Sequence, residues 1–130
     1  ELVASILNLS TAADPDMVLV AKANCGIPQW VNGAIRYDGT PDLMASYVHL
    51  AIDSGARIIG GCCGTSPEHL AAMRKALDAH VAGPRPDAQA LETALGQIST
   101  GARAQLGGNL DRAAGSASGA GPRASRSRRT

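Results

Sequence analysis

Two adjacent cysteines, Cys62 and Cys63, lie in the glycine-rich turn Gly60-Gly61-Cys62-Cys63-Gly64-Thr65, directly after the apolar segment 56–59. Side chains on a strand alternate between its faces, so neighbouring cysteines on a regular strand cannot reach one metal ion. Glycine permits the chain to leave the strand geometry, and cysteine thiolates bind zinc strongly, at about 2.3 Å. The pattern therefore predicts a site for a soft metal ion at a strand-to-helix turn.

The elements that position this turn alternate between helix and strand. Apolar periodicity and helix-start signals predict, in chain order, a helix over 2–9, a strand over 17–21, a helix beginning at Thr40-Pro41-Asp42, a strand over 56–60 and a helix beginning at Thr65-Ser66-Pro67. Such alternation is typical of α/β folds with parallel strands, whose functional groups gather at the strands' C-terminal ends. Cys25 follows the first strand and should lie on the same rim. The segment 24–39, which follows the first strand, contains several glycines and is predicted to be an irregular loop.

Composition divides the chain into an acidic part and a basic tail. Residues 1–100 carry six basic and ten acidic side chains, whereas residues 101–130 carry six arginines and one aspartate. From about residue 100 the composition of Gly, Ala, Ser and Arg cannot bury enough apolar surface to offset its ordering entropy. We predict an ordered part over 1–82, a linker with a short helix over 83–99, and a disordered tail over 100–130. Because its arginines are not interleaved with aromatic residues, nucleic acid is not an expected partner.

The three cysteines also bear on the compartment. No secretory segment is visible, and no apolar run approaches the about 20 residues that a membrane span needs. A disulfide framework is therefore disfavoured, and clustered thiols in an intracellular chain are more often metal ligands or redox groups. We predict a cytoplasmic protein with no membrane partner.

The segment Ile58-Ile59-Gly60-Gly61-Cys62-Cys63-Gly64-Thr65-Ser66-Pro67-Glu68-His69-Leu70 resembles the zinc-binding signature of the homocysteine S-methyltransferases. A second segment, Ala23-Asn24-Cys25-Gly26-Ile27-Pro28, followed by a Thr-Pro helix start, is similar to that family in order and spacing. The resemblance covers roughly residues 1–82. Within the family, the bacterial betaine–homocysteine methyltransferase type looks closest.

This resemblance implies a (β/α)8 barrel, of which the chain is the C-terminal portion with strands seven and eight. It implies one Zn²⁺ held by three cysteine thiolates, among them Cys62 and Cys63, with the sulfur of homocysteine in the fourth position. Methionine would be the product, and betaine or a related onium compound the methyl donor, with methyl-folate also open. The third ligand follows strand six in the family, so we expect it to precede Glu1. Asn24 and Cys25 then become candidates for substrate-binding residues, and ligation by Cys25 is the less favoured reading.

Other interpretations of the same residues remain open. The paired cysteines could be small buried apolar residues, a redox pair, or part of a phosphate-binding turn; the flanking glycines and the lack of a phosphate motif favour the metal site. His69 fits a local hydrogen bond at the start of its helix better than a place beside the metal. Trp30 and Tyr37 could line a pocket for a cationic donor, but packing on the protein is favoured. His49 and His80 are predicted to be structural or exposed.

Two hypotheses without catalysis also remain. The chain could be an inactive truncated fragment, because two strands leave sheet edges unpaired. It could instead be a metal-binding module, which would need at least three ligands of its own. We expect the 130-residue chain by itself to be unstable and inactive.

Overall fold

The structure, a computed structural model, describes residues 1–108. Within this range helices and strands alternate as expected for an α/β protein, and one β-hairpin is inserted between them. In chain order the elements are α1 (Leu2–Ala12), β1 (Val20–Ala23), β2 (Pro28–Val31), β3 (Ala34–Tyr37), α2 (Pro41–Asp53), β4 (Ile58–Gly61), α3 (Pro67–Asp78), α4 (Ala88–Leu95) and α5 (Thr100–Leu106).

The strands β1 and β4 form a two-stranded parallel sheet, which confirms the predicted strand direction. The register places Val20 opposite Ile58. Both strands begin later than the apolar runs predicted, because pairing starts where the Leu19 carbonyl accepts hydrogen bonds from the amides of residues 57 and 58, at 2.9 and 3.2 Å. Residues 17 and 18 lie before this paired region. Among residues 1–108 the strands do not close into a barrel.

The helices α2 and α3 begin at the residues that the sequence indicated. Thr40 caps α2, where its Oγ1 accepts a hydrogen bond from the Leu43 amide at 3.1 Å, and Pro41 occupies the first helical position. The apolar periodicity of α2 predicts a buried stripe of Leu43, Met44, Tyr47, Val48, Ala51 and Ile52. Four of these residues are buried, Met44, Tyr47, Val48 and Ala51.

The apolar periodicity of α3 predicts an inner face of Leu70, Met73, Leu77 and Val81, and of these only Met73 is buried. Met73 and Ala76 are buried, whereas Leu70 and Leu77 are 50% and 43% exposed. Val81, which follows the helix, is 84% exposed. The buried face of α3 is therefore centred on Met73 and Ala76, and the two leucines lie at its margins.

The segment 24–39 is not the irregular loop that its glycines suggested. Its strands β2 and β3 pair in antiparallel fashion, with Trp30 opposite Ile35. Asn32 and Gly33 form the two-residue turn with φ of 52° and 82°, the left-handed conformation that this hairpin turn requires. The Asn-Gly pair between β-forming residues was a sufficient signal for the hairpin, and our sequence interpretation missed it.

The core lies between the helices and one face of the parallel sheet. Ala21 on that face is fully buried, while Val20 and Ile58 on the opposite face are each 54% exposed. The buried apolar residues are Val3, Ala4, Ile6, Leu7, Ala21, Cys25, Met44, Tyr47, Val48, Ala51, Ala56, Met73, Ala76, Leu91 and Ala102. In the described part of the chain, no helix has both the length and the apolarity to cross a membrane.

The end of the described region is more ordered than predicted. The short helix expected between Asp87 and Ile98 is present as α4, capped by Asp87, whose carboxylate accepts from the Ala90 amide at 2.8 Å. Order continues past residue 100, where Ser99 caps α5 and Ala102 is buried in the core. Ala102 and the partly buried Leu106 thus anchor α5 on the core. The rest of the predicted disordered tail, 109–130, lies outside the described residues.

Candidate metal centre

The thiols of Cys62 and Cys63 project from the turn between β4 and α3. Both residues are exposed, and their Sγ atoms lie 3.9 Å apart. The turn closes where the Thr65 amide donates a hydrogen bond to the Cys62 carbonyl, at 3.3 Å. Gly64 has φ of +78°, a conformation that L side chains rarely adopt. The backbone thus leaves strand geometry directly after β4, which allows adjacent side chains to approach each other.

The end of β1 holds the backbone of Cys63 on both sides. The Cys63 amide donates to Oδ1 of Asn24 at 3.2 Å, and the Cys63 carbonyl accepts from the Cys25 amide at 2.9 Å. The pairing of β1 with β4 therefore continues one step into the turn, with a side-chain oxygen in place of a backbone carbonyl. Asn24 and Cys25 both lie beside the cysteine pair, as their place at the end of the strand predicted.

Cys25 itself is fully buried, unlike the exposed pair. Its thiol donates a hydrogen bond to the Gly39 carbonyl, at 3.3 Å. Burial, and secondarily the carboxylate of Asp38, raise the pKa of the Cys25 thiol, which favours the protonated donor. Within residues 1–108 no three His, Cys, Asp or Glu side chains are grouped so as to hold a metal ion. Cys25 therefore does not complete a three-thiol site with Cys62 and Cys63 in this structure.

His69 makes the local hydrogen bond that its place in the first helical turn indicated. Its Nδ1 accepts a hydrogen bond from the Ser66 amide at 3.1 Å. The Ser66 side chain in turn accepts from the backbone amide of His69, the third helical residue, which completes a capping box. With Nδ1 acting as the acceptor, Nε2 carries the proton and donates to the Gly39 carbonyl at 3.1 Å. His69 thus ties the start of α3 to the chain just before α2.

The hairpin approaches the cysteine turn through Tyr37. A Cβ added at Gly64 would lie 2.4 Å from Cγ of Tyr37, so the ring packs directly over the glycine. The neighbouring Cys63 side chain is the main cause that raises the pKa of Tyr37, followed by burial and by the charges of the two thiols. Trp30, in contrast, is 74% exposed. The prediction that Trp30 packs on the protein is therefore wrong.

His49 and His80 lie together at the far ends of α2 and α3. Their Nδ1 atoms are 2.8 Å apart, and the stacked rings have centroids 5.1 Å apart. Nε2 of His80 is 3.0 Å from Oδ1 of Asp53, which also accepts from the Gly83 amide at 3.0 Å. Both histidines are thus structural, as predicted, and they lie at the opposite end of α3 from the cysteine turn.

These observations define an α/β protein that presents a thiol pair at the C-terminal end of a parallel strand. Its sequence matches the family model described as homocysteine S-methyltransferase over residues 1–77, more than half of the 130 residues. The chain belongs to the homocysteine S-methyltransferase family. This confirms the resemblance that the double-cysteine segment indicated.

Proposed function

We propose that the protein transfers a methyl group to the thiol of homocysteine, giving methionine, at a zinc site that includes Cys62 and Cys63. Besides family membership, one observation carries the proposal, the 3.9 Å separation of the two Sγ atoms. Two sulfur ligands at about 2.3 Å from a tetrahedral zinc lie about 3.8 Å from each other. The spacing and exposure of the two thiols therefore fit two positions of one tetrahedral site.

The reaction needs a thiolate, and a free thiol with a pKa of about 8.5 is mostly protonated at neutral pH. Zinc would supply the positive charge that favours the deprotonated form of a bound thiol. Cys62 and Cys63 then act as ligands and not as nucleophiles. The sulfur of homocysteine attacks the methyl carbon of the donor, a sulfur–carbon bond forms, and the electron pair of the broken bond leaves with the donor's heteroatom.

The donor that we propose is betaine or another onium compound. The cationic ammonium or sulfonium centre of such a donor becomes a neutral amine or thioether when the methyl group leaves, and this cationic centre is attracted to aromatic faces. Tyr37 borders the cysteine turn, and Trp30 is exposed on the same hairpin. The alternation of strand side chains places both aromatic residues on one face of the hairpin, because Tyr37 is opposite Pro28, two positions from Trp30.

We further propose that β1 and β4 are strands seven and eight of a (β/α)8 barrel. Their parallel pairing and the half-exposed apolar residues Val20 and Ile58 on the face away from the helices support this arrangement. A catalytic zinc site has three protein ligands, and within residues 1–108 no third Cys, His, Asp or Glu joins the pair. The third ligand is therefore proposed to come from outside the 130 residues. Since free thiols require a reducing compartment, the proposed location is the cytoplasm.

Zinc competition with a chromophoric chelator tests the ligand proposal. We expect Cys62→Ser and Cys63→Ser each to weaken zinc binding by about tenfold or more, because each removes a thiolate. Cys25→Ser is the matched control, and its affinity should stay close to that of the unsubstituted chain. Unchanged affinity in both pair variants would show that the proposed zinc site is wrong, and equal loss in all three would favour a self-contained metal-binding module.

Methionine formation from homocysteine and betaine tests the activity. It is measured for the 130-residue chain and for the product of the complete genomic reading frame that encodes it. Activity confined to the longer product supports a third ligand from outside these residues. If neither product forms methionine with any onium donor or methyl-folate, the methyl-transfer proposal fails.

A further inference from the structure

The geometry points to Asn24 and Cys25 as positioning residues that set the spacing of the Cys62–Cys63 thiol pair, and not as ligands or substrate-binding groups. They hold both backbone polar groups of Cys63, its amide at 3.2 Å through Oδ1 of Asn24 and its carbonyl at 2.9 Å through the Cys25 amide. We call these two hydrogen bonds to Cys63 the backbone clamp. The importance of the thiol spacing for zinc rests on the proposed function, whereas the clamp can be tested without a metal.

The polar groups of Cys25 are fully engaged in this clamp. Its amide binds Cys63, its carbonyl accepts from the Gly39 amide at 3.1 Å, and its thiol donates to the Gly39 carbonyl at 3.3 Å. The approach is close because Gly39 has no side chain; a Cβ there would lie 2.5 Å from the Cys25 carbonyl carbon. A buried thiol with these partners is fixed by the fold, which explains why it is not presented to a ligand.

The clamp continues into α3 through one shared acceptor. The Gly39 carbonyl accepts from Cys25 Sγ and also from Nε2 of His69, at 3.1 Å. His69 in turn accepts from the Ser66 amide at the start of α3. The turn with the two thiols is therefore held on the β1 side by Asn24 and Cys25, and its helical side is tied to the same Gly39 carbonyl.

The consequence for the thiols is preorganisation. In a regular strand the side chains of adjacent residues point to opposite faces, so the 3.9 Å separation requires a particular backbone path through residues 62–64. Loss of the Asn24 acceptor leaves the Cys63 amide free to rotate with its peptide plane. The turn then samples conformations in which the sulfurs are farther apart, and a ligand that bridges them must restore the order that the clamp provided.

A trivalent arsenical, phenylarsine oxide, measures the spacing directly. It condenses with two nearby thiols, so that two arsenic–sulfur bonds form, arsenic–oxygen bonding is lost and water is released without a redox change. We would measure its dissociation constant for the 130-residue chain, for Asn24→Asp, which retains an oxygen acceptor, and for Asn24→Leu, which removes it. Midpoints of urea unfolding are recorded for the same proteins.

We expect Asn24→Leu to weaken arsenical binding by about tenfold, the effect of one hydrogen bond of ordinary strength, and Asn24→Asp to remain within about threefold of the unsubstituted chain. Asp53→Ala, whose side chain is in the histidine cluster at the other end of α2 and α3, controls for general destabilisation. It should lower the unfolding midpoint and leave the affinity for the arsenical unchanged.

Two results would overturn the proposal. One is equal arsenical affinity in Asn24→Leu and the unsubstituted chain. The other is equal affinity of the unsubstituted chain in buffer and in denaturing guanidinium, which would mean that folding does not set the spacing. A chain that shows the expected arsenical pattern but binds no zinc would contradict the proposed function and leave the clamp intact.

Discussion

The ring of Tyr37 lies directly against the backbone of Gly64, so that a Cβ at position 64 would stand 2.4 Å from Cγ of the ring. This contact joins the hairpin to the turn that carries the two thiols. It requires glycine for two independent reasons, the close approach and the backbone φ of +78°. The hairpin and the cysteine turn are therefore one packed unit, although 27 positions separate the two residues in the sequence.

We expect Gly64→Ala to destabilise the protein by about 2–4 kcal/mol, because it combines a left-handed conformation with overpacking against a ring. Gly60→Ala, in the adjoining strand β4, is the matched control, since no atom lies within 4 Å of its added Cβ. That change should stay within about 1 kcal/mol. Urea unfolding followed by circular dichroism measures both, and equal effects of the two changes would show that Tyr37 does not pack on Gly64.

His69→Ala should destabilise the start of α3. The change removes one half of the capping box and the hydrogen bond from Nε2 to the Gly39 carbonyl, so we expect a loss of about 1–2 kcal/mol. His69→Gln tests whether a side-chain acceptor alone restores the cap. Nitrogen NMR of the imidazole should find Nδ1 unprotonated and Nε2 protonated in the folded protein, and the opposite tautomer would contradict the assigned hydrogen bonds.

The sequence predicts those features of the structure that are encoded by neighbouring residues, and it does not predict contacts between residues that are distant in the chain. The start of α2 at Thr40-Pro41 and the position of the thiol pair after a strand were predictable from nearby residues. The hydrogen bonds that link Cys63 with Asn24 and with Cys25 join residues 39 and 38 positions apart. No periodicity encodes such contacts, because they follow from the register of β1 against β4, which is set by tertiary packing.

The two incorrect predictions, an irregular loop over 24–39 and the inner face of α3, have similar physical origins. Glycines in 24–39 suggested a loop, but Gly33 serves the hairpin turn through its positive φ. The helical periodicity of apolar residues in α3 also could not show that Ala76 packs inward while Leu77 stays half exposed. Within residues 1–108 no third side chain of a metal-binding type joins Cys62 and Cys63, so the structure confirms the position of the thiol pair, and its zinc site stays a prediction.

The cluster of Asp53, His80 and His49 should contribute measurably to stability. The side chains of His80 and Asp53 are only 9% and 15% exposed, and the Asp53 carboxylate also accepts from the Gly83 amide. We expect Asp53→Ala to cost about 1–3 kcal/mol, since hydrogen bonds to a partly buried charged group are lost. The double variant Asp53→Ala/His80→Ala should destabilise by less than the sum of its single changes.

The exposed ion pair between Arg74 and Asp78 provides the contrast. Its side chains are 70% and 56% exposed, and the pair spans one helical turn of α3. Because solvent screens such a pair, Asp78→Ala should change the unfolding free energy by no more than about 0.5 kcal/mol. A larger loss for Asp78→Ala than for Asp53→Ala, measured by the same urea titration, would show that burial does not distinguish the two carboxylates as proposed.

Tyr47→Phe should be neutral or stabilising at pH 7. The Tyr47 hydroxyl is buried without a well-formed hydrogen bond, and an unpaired buried hydroxyl carries a desolvation cost that phenylalanine avoids, so a gain of up to about 1 kcal/mol is expected. Burial is the main cause that raises the pKa of Tyr47 to about 12, and the backbone of Ala23 acts in the opposite direction.

The raised pKa of Tyr47 predicts a loss of stability at high pH that the phenylalanine variant lacks. Below pH of about 10 both the folded and the unfolded chain keep the phenol protonated, and the contribution is complete. Between about 10 and 12 the unfolded chain ionises while the folded one does not, so stability falls by up to about 1.4 kcal/mol per pH unit and then levels off. Urea unfolding of both proteins at pH 7, 9, 10 and 11 measures the difference. Parallel pH profiles would show that Tyr47 ionises as readily in the folded protein as in the unfolded chain.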